Sequence, residues 1–208
     1  MPRPRFKRLS VEKRSRIMEA SAREFAVHGF HDASLNKILQ KAAISKGAAY
    51  YYFDDKADLF ATTVAFYAEA LVANLLPPVE QLKKEDFWPK LRSFYEKQLD
   101  YFDDRPWAFG VIKAAGRLSP KAIEAEPLLA QFVAEIEHHL QTIIRRGQKV
   151  GVIRTDLPDE LLVRLFAAID DVSDRWLLEN WQSLQPEEMR DTLRRILQGL
   201  ERFMEPPA

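Results

Sequence analysis

The side chains of this chain with the most chemistry to offer at one short spacing are Lys46, Gly47, Tyr50, Tyr51 and Lys56, all within SLNKILQKAAISKGAAYYYFDDK at residues 34–56. Lysine neutralises phosphate and a tyrosine hydroxyl donates to phosphate oxygen. Glycine lets a backbone approach a base edge, and the free N–H groups at a helix start attract anions. All four serve one ligand type, a nucleic acid. Taken singly, such lysines are ordinary solvated residues and such tyrosines ordinary core; the set at this spacing is what points to DNA.

Two short helices must position those side chains. Ser34 is a good N-cap directly before the apolar positions Leu35, Ile38, Leu39 and Ala42. Ala43 and Ile44 break the period. Ser45 then offers a second N-cap, and the helix it opens carries Ala49, Tyr52 and Phe53 toward one side. Helices joined by so short a turn cross steeply and leave the start of the second exposed, which is a helix-turn-helix. Ile38, Leu39, Ile44, Ala49 and Phe53 are expected to form its small core.

With REFAVHGF, SLNKILQKAAISKGAAYYYF and DDKADLF in order, residues 16–60 resemble the N-terminal domain of the TetR family of bacterial transcriptional regulators. The resemblance implies an all-α fold. An N-terminal three-helix helix-turn-helix DNA-binding domain would join a larger helical C-terminal domain for dimerisation and ligand sensing. It also implies that Ser34, Asn36 and Lys37 touch DNA from the start of one helix. Ser45, Lys46, Gly47, Tyr50, Tyr51 and Tyr52 would lie on the recognition helix, and Lys56 would make a phosphate contact just beyond. Lys46, Gly47 and Tyr50 are the expected base contacts.

Three positions depart from the family pattern. Ala43 stands where a glycine able to take a left-handed conformation is usual, and should cost about 1 kcal/mol there. Ala48 replaces a frequent hydroxyl donor. Ala49 replaces a larger apolar residue, so that Tyr51 or Tyr52 is expected to pack inward and restore the bulk.

The net charge is zero, yet it is unevenly spread: residues 1–60 hold 12 Lys+Arg against 7 Asp+Glu, and the remainder 19 against 24. The basic end is the helix-turn-helix end. At its front, MPRPRFKR brings Arg3, Arg5, Lys7 and Arg8, which could follow a phosphate backbone or enter a minor groove. Its prolines discourage helix, and residues 1–10 are expected to be a basic, frayed tail.

The domain division expected is that tail, a DNA-binding domain over residues 11–56 and a helical regulatory and dimerisation domain over 57–208. A chain of 208 residues, 47% hydrophobic, is long enough for one small and one ordinary domain. With no cysteine, disulfides and thiol catalysis are excluded, and a cytoplasmic location follows most simply. No apolar run reaches the roughly 18 residues of a membrane span, so no membrane association is expected.

Beyond residue 56 the pattern stays helical. Asp55 and Asp58 cap a connector helix carrying Leu59, Val64, Phe66, Leu71 and Leu75, which Pro77 and Pro78 should end. It would carry a shift at its far end back to the recognition helix. Further helices are expected over residues 86–103, 105–117, 120–149, 158–183 and 186–204, with a loop over 147–158. Leu161, Leu165, Ala168 and Val172 form one apolar row, and Met189, Leu193, Ile196, Leu200 and Phe203 another. Two such helices from each subunit would make the four-helix bundle of a homodimer, although packing within one chain demands the same pattern.

For a small-molecule inducer, apolar or aromatic in character and of unknown identity, the candidate contacts are Phe102, Trp107, Phe109, His138, Asp170 and Trp176. A plain core would use the same aromatics. No cofactor is expected. A metal site at His138 and His139 fails because adjacent helical residues diverge by about 100°. No phosphate loop or catalytic constellation is present, so the chain is not expected to be an enzyme. Two readings remain. One is a repressor that binds a palindromic double-stranded operator as a homodimer; the other is a helical interaction module with nonspecific DNA affinity and no inducer.

Overall fold

The computed structural model of the chain describes residues 3–75 and 79–207. Its regular elements are helical: α1 (Pro4–Lys7), α2 (Val11–Asp32), α3 (Leu35–Lys41), α4 (Lys46–Tyr52), α5 (Lys56–Leu75), α6 (Phe87–Phe102), α7 (Pro106–Ala115), α8 (Pro120–Glu124), α9 (Pro127–Lys149), α10 (Asp159–Asn180) and α11 (Pro186–Met204). A short 3₁₀ turn at Val79–Gln81 precedes α6. Among the described residues there is no strand, and no helix is long and apolar enough to cross a membrane. Pro77 and Pro78, and the side chains of Leu71 and Leu75, lie outside the described residues.

The chain divides into two compact units. One comprises Met1–Val72 with Arg105–Ala134, the other Ala73–Asp104 with Glu135–Ala208. In the first, α2 packs along α7 and against α3. Its core gathers Ile17, Met18 and Phe25 from α2, Ile38 and Leu39 from α3, and Leu59, Phe60 and Val64 from α5. The rings of Phe25 and Phe60 meet edge to face at 4.9 Å. Thus α7, some fifty residues beyond the recognition helix in sequence, helps hold up the helix-turn-helix.

In the second unit, α11 packs on α6 and α10. Phe87, Leu91 and Leu99 of α6, Phe166 and Leu177 of α10, and Leu193, Leu197 and Leu200 of α11 share one core. Arg190 with Asp100 at 2.7 Å and Arg194 with Glu96 at 3.1 Å tie α11 to α6 at the surface. Such exposed pairs fix register more than they add stability.

The helix expected over residues 120–149 is two helices. α8 stops at Glu124, and Pro127 opens α9 as its first residue. Proline has no N–H to donate and its ring would clash in a helix interior, so the chain restarts there. The expected loop over 147–158 begins later, because α9 runs to Lys149. Gly151, at φ +74°, then ends it, with its N–H donating to the carbonyl of Gln148 and that of Val152 to the carbonyl of Gly147.

Candidate nucleic-acid interface

Ser34 caps α3, its Oγ accepting from the N–H of Lys37 at 3.4 Å, and Ser45 caps α4, its Oγ accepting from the N–H of Ala48 at 3.1 Å. Both helices therefore start where the serines place them. Between them lies the left-handed corner. Ala43 is the one described non-glycine residue with positive φ, at +52°. The N–H of Ala43 donates to Gln40 O and that of Ile44 to Leu39 O, each at 3.1 Å, the same pair of bonds that Gly151 supports at the end of α9. Arg16 Nε adds a bond to Ala42 O at 3.0 Å, satisfying another carbonyl at this helix end.

The corner sets which face of α4 turns outward. Ala49, Tyr52 and Phe53 are buried, with Ile38 and Leu39 beneath them and Ile44 half-buried. Lys46, Gly47, Tyr50 and Tyr51 are exposed, Tyr50 by 44% and Tyr51 by 48%. Residues 46 and 50, and 47 and 51, are four apart and stack on one side of the helix. Gly47 is not required by packing: the nearest neighbour to an added Cβ would be Ser45 Oγ at 4.0 Å. Glycine is a poorer helix former than alanine, and no close packing requires it here. Asn36 and Lys37 are exposed on α3, whereas Ser34 is half-buried in its capping role.

Tyr52 departs from the outer set. It is 8% exposed, and its ring meets those of Phe6 and Phe53, each at 6.4 Å. The bulk absent at Ala49 is thus supplied by Tyr52, which removes that ring from the face assigned to it by sequence. Lys56 also has structural work. Its Nζ donates to His31 O at 2.9 Å and Ala33 O at 3.2 Å, and lies 5.0 Å from the Phe30 ring centroid. An ammonium has three donors, so one remains for a phosphate.

The segment expected to fray is docked instead. Phe6 in α1 is buried, its ring 4.9 Å from that of Phe53, and the N–H of Arg3 donates to Tyr52 O at 3.0 Å. Arg3 also forks onto Asp54 Oδ1, at 2.9 Å from Nε and 2.6 Å from Nη2. The Arg5 guanidinium lies 4.2 Å from the Tyr51 ring centroid, which adds a cation to the exposed face of α4. Sequence reasoning saw the basic residues of this segment but not their anchor: the signal was Phe6, an apolar residue inside a basic run.

The start of α3 is held by Glu24, a buried residue of α2. Its Oε1 accepts the N–H of Ser34 at 3.1 Å, with Lys41 Nζ 3.7 Å from Oε2. At the entrance to α5, Asp55 Oδ1 accepts the N–H of Asp58 at 2.8 Å, and Asp58 Oδ2 accepts that of Asp54 at 3.0 Å. This is the cap expected from Asp55 and Asp58.

The remaining predicted contacts fall in both units. Trp107 and Phe109 are in the first, where Arg23 stacks on the Trp107 ring at 3.4 Å and Phe109 is buried. Phe102, His138, Asp170 and Trp176 are in the second. Phe102 is buried core, His138 is exposed, and Trp176 is 40% exposed. Asp170 Oδ1 accepts from the Tyr95 hydroxyl at 2.8 Å, and burial together with that carboxylate holds the phenol well above its ordinary value. Of the apolar rows, Leu161 and Val172 are exposed, and Leu165 and Ile196 half-buried. Leu193 and Leu200 are 3% and 4% exposed within the chain's own core, because α11 turns them toward α6 and α10, so neither is free to face a second subunit.

Comparison with known proteins agrees with this geometry. The family description "Bacterial regulatory proteins, tetR family" matches residues 17–63, which span α2 to the start of α5. The HTH-type transcriptional regulator YdgC of Bacillus subtilis is 27% identical over 177 residues, 83% of this chain and 85% of that protein. A TetR family transcriptional regulator from Chloroflexus aurantiacus superposes with a TM-score of 0.71 at 22% identity, covering 98% of each chain. The regulator FadR of Bacillus subtilis, solved in complex with stearoyl-CoA, superposes with a TM-score of 0.67 at 17% identity over 88% of this chain and 96% of that one. These two structures share the fold. By its helix-turn-helix and by these likenesses, the chain carries over residues 17–63 the segment that the tetR family of bacterial regulatory proteins shares, and as a whole it resembles transcriptional regulators of that fold.

Proposed function

We propose that the protein is a cytoplasmic transcriptional repressor that binds a palindromic operator as a homodimer and responds to a small apolar or aromatic ligand, with no enzymatic activity. The observation that carries the DNA reading is the outer face of α4. Lys46, Gly47, Tyr50 and Tyr51 are exposed together, and its glycine has no packing role. Lys46, Gly47 and Tyr50 are assigned to base edges. Ser45, Tyr51, Asn36, Lys37 and the third donor of Lys56 are assigned to phosphates. Ser34 acts through the start of α3, and Tyr52 supports α4 from behind.

Dimerisation is assigned to residues 57–208, through the row on α10. Leu161, Leu165, Ala168 and Val172 follow three- and four-residue steps, and Val172 is 64% exposed. An apolar stripe left uncovered on a long helix calls for a partner surface, and a second copy supplies a matching one. Two recognition helices then meet successive major grooves on one face of the duplex. Occupying an operator in this way blocks polymerase access, which is the repressor reading.

Ligand sensing is assigned to the same region, with Phe102, His138, Asp170 and Trp176 as its contacts and Trp107 and Phe109 as aromatic neighbours in sequence. The pairing of buried Tyr95 with half-buried Asp170 gives that region a polar anchor beside the apolar core. The stearoyl-CoA complex of FadR is a case of a small molecule bound on this fold.

Selection of genomic fragments by the purified protein, followed by a salt titration on the selected site and on a scrambled copy, tests the reading. Tight, salt-dependent binding to one palindrome supports it. Equal binding to both sequences supports an interaction module with nonspecific DNA affinity.

A further inference from the structure

The cations ahead of α2 differ in what they touch. Arg3 spends the edge of its guanidinium on Asp54 Oδ1, which accepts from both Nε and Nη2. Lys7 borders a hollow beside Phe66 and Glu69 of α5. Arg5 is exposed, and its guanidinium lies over the Tyr51 ring, 4.2 Å from the centroid. Among the described residues Arg5 makes no ion pair and donates no side-chain hydrogen bond.

The difference between Arg3 and Arg5 is one of face against edge. All five N–H donors of a guanidinium lie in its plane, so a carboxylate at the edge consumes them and an aromatic ring beneath the face does not. Arg5 therefore keeps its whole donor fork. A phosphate accepts such a fork through two oxygens. The fork is also held in place. The N–H of Arg3 donates to Tyr52 O at 3.0 Å and the Phe6 ring packs 4.9 Å from that of Phe53, which seats α1 at the C-terminal end of α4. With the backbone fixed and a ring under the side chain, less freedom is lost when the guanidinium meets an anion.

We propose that Arg5, stacked on Tyr51, donates to a DNA backbone phosphate at the edge of the groove that α4 enters, so that α1 is a second element of the DNA interface. This assignment rests on the DNA reading of α4 and adds to it a contact made from outside the helix-turn-helix. Tyr51 stands near the end of α4, a turn beyond Lys46 and Gly47, which are assigned to base edges; the cation it carries falls toward the flanking backbone. Arg3 is a positioning residue, whose bonds to Asp54 and Tyr52 O fix the segment that holds Arg5.

The test measures fluorescence anisotropy of the full-length protein on a labelled duplex carrying the palindrome it selects and on a scrambled copy. Arg5→Gln should melt like wild type and weaken binding to both duplexes by the same factor, about fivefold at low salt. Its salt slope should be less steep by about one, so that the deficit shrinks about threefold between roughly 50 and 200 mM salt. Lys7→Gln removes the same charge from the same segment and should change the slope much less. In the Tyr51→Phe background, which keeps the ring, Arg5→Gln should cost the same factor, and in Tyr51→Leu less. Replacing single phosphates in turn by neutral methylphosphonates should reveal one position in each half-site that weakens wild type and leaves Arg5→Gln unaffected. An unchanged salt slope in Arg5→Gln, an equal effect of Lys7→Gln, a loss that depends on the flanking base sequence, or no phosphate position silenced with Arg5 would each overturn the assignment. Lys46→Ala separates this outcome from the DNA reading itself: if that variant binds the palindrome like wild type, the reading of α4 fails, and if it binds weakly while Arg5→Gln does not, the Arg5 contact alone fails.

Discussion

The carboxylate of Glu24, buried in α2, accepts the backbone N–H of Ser34, the residue whose own side chain caps α3. One hydrogen bond thus ties the first helix of the DNA-binding fold to the start of the second. Ser34 has both backbone and side chain engaged, which is why it positions α3 rather than serving as an independent contact. Glu24→Ala should leave that N–H unpaired and lower stability by about 2 kcal/mol, a loss readable as a reduced midpoint in urea. An unchanged midpoint would show that the bond contributes nothing.

Lys46 and Lys56 should separate cleanly. Lys46→Ala removes an exposed cation, so the melting temperature should hold while operator affinity falls and preference relaxes at one base step. Lys56→Ala also removes the bonds to His31 O and Ala33 O, and should cost about 1 kcal/mol of stability besides lowering the salt slope by about one. Thermal melts paired with salt titrations of DNA binding distinguish the two.

Ala43 sits at φ +52° in a corner whose counterpart after α9 is Gly151 at +74°. Ala43→Gly should leave stability unchanged or raise it by up to about 1 kcal/mol, whereas Gly151→Ala should lower it by a similar amount. Parallel denaturation of the two variants checks the pair. A clear loss from Ala43→Gly would mean the corner is built differently.

Tyr51 and Tyr52 are adjacent, their rings 5.5 Å apart, yet the first is exposed and the second buried. Tyr52→Ala should cost about 3 kcal/mol by emptying the space among Phe6, Phe53 and Ala49, whereas Tyr51→Ala should barely alter melting and should weaken DNA binding. Reversal of these effects would exchange their roles.

Burial holds the His139 imidazole below its ordinary value of 6.5, reinforced by His138 and opposed by the Glu80 carboxylate. Above pH 6.5 the ring is neutral in both folded and unfolded chains and stability is full. As the pH falls through 6.5 the unfolded chain takes up a proton first, so stability declines until the lower, folded value is passed. His139→Gln should flatten this decline in melting temperature between about pH 7 and 5.

Much of the helix-turn-helix was legible because its signals are local: Ser34 and Ser45 as caps, the apolar period from Leu35 to Ala42, and the break at Ala43. Tyr52 was ambiguous because its inward turn depends on Phe6, more than forty residues away, filling the gap beside Ala49. The docking of α1 was illegible for the same reason, since prolines and arginines describe only a local preference and the burial of Phe6 is a tertiary fact. Leu193 and Leu200 show the limit of periodicity: a buried stripe looks the same whether α6 or a second subunit covers it. Pro127 was readable and outweighed the apolar period on either side of it.

Gly47 gives the most direct test of the central claim, that the outer face of α4 meets DNA. An added Cβ would find no atom nearer than Ser45 Oγ at 4.0 Å, and leucine is the better helix former, so Gly47→Leu should keep or raise the melting temperature. Operator affinity measured by fluorescence anisotropy should fall by about tenfold or more, because the new side chain stands where backbone and base edge approach. A folded Gly47→Leu protein that binds the operator like wild type would contradict the account.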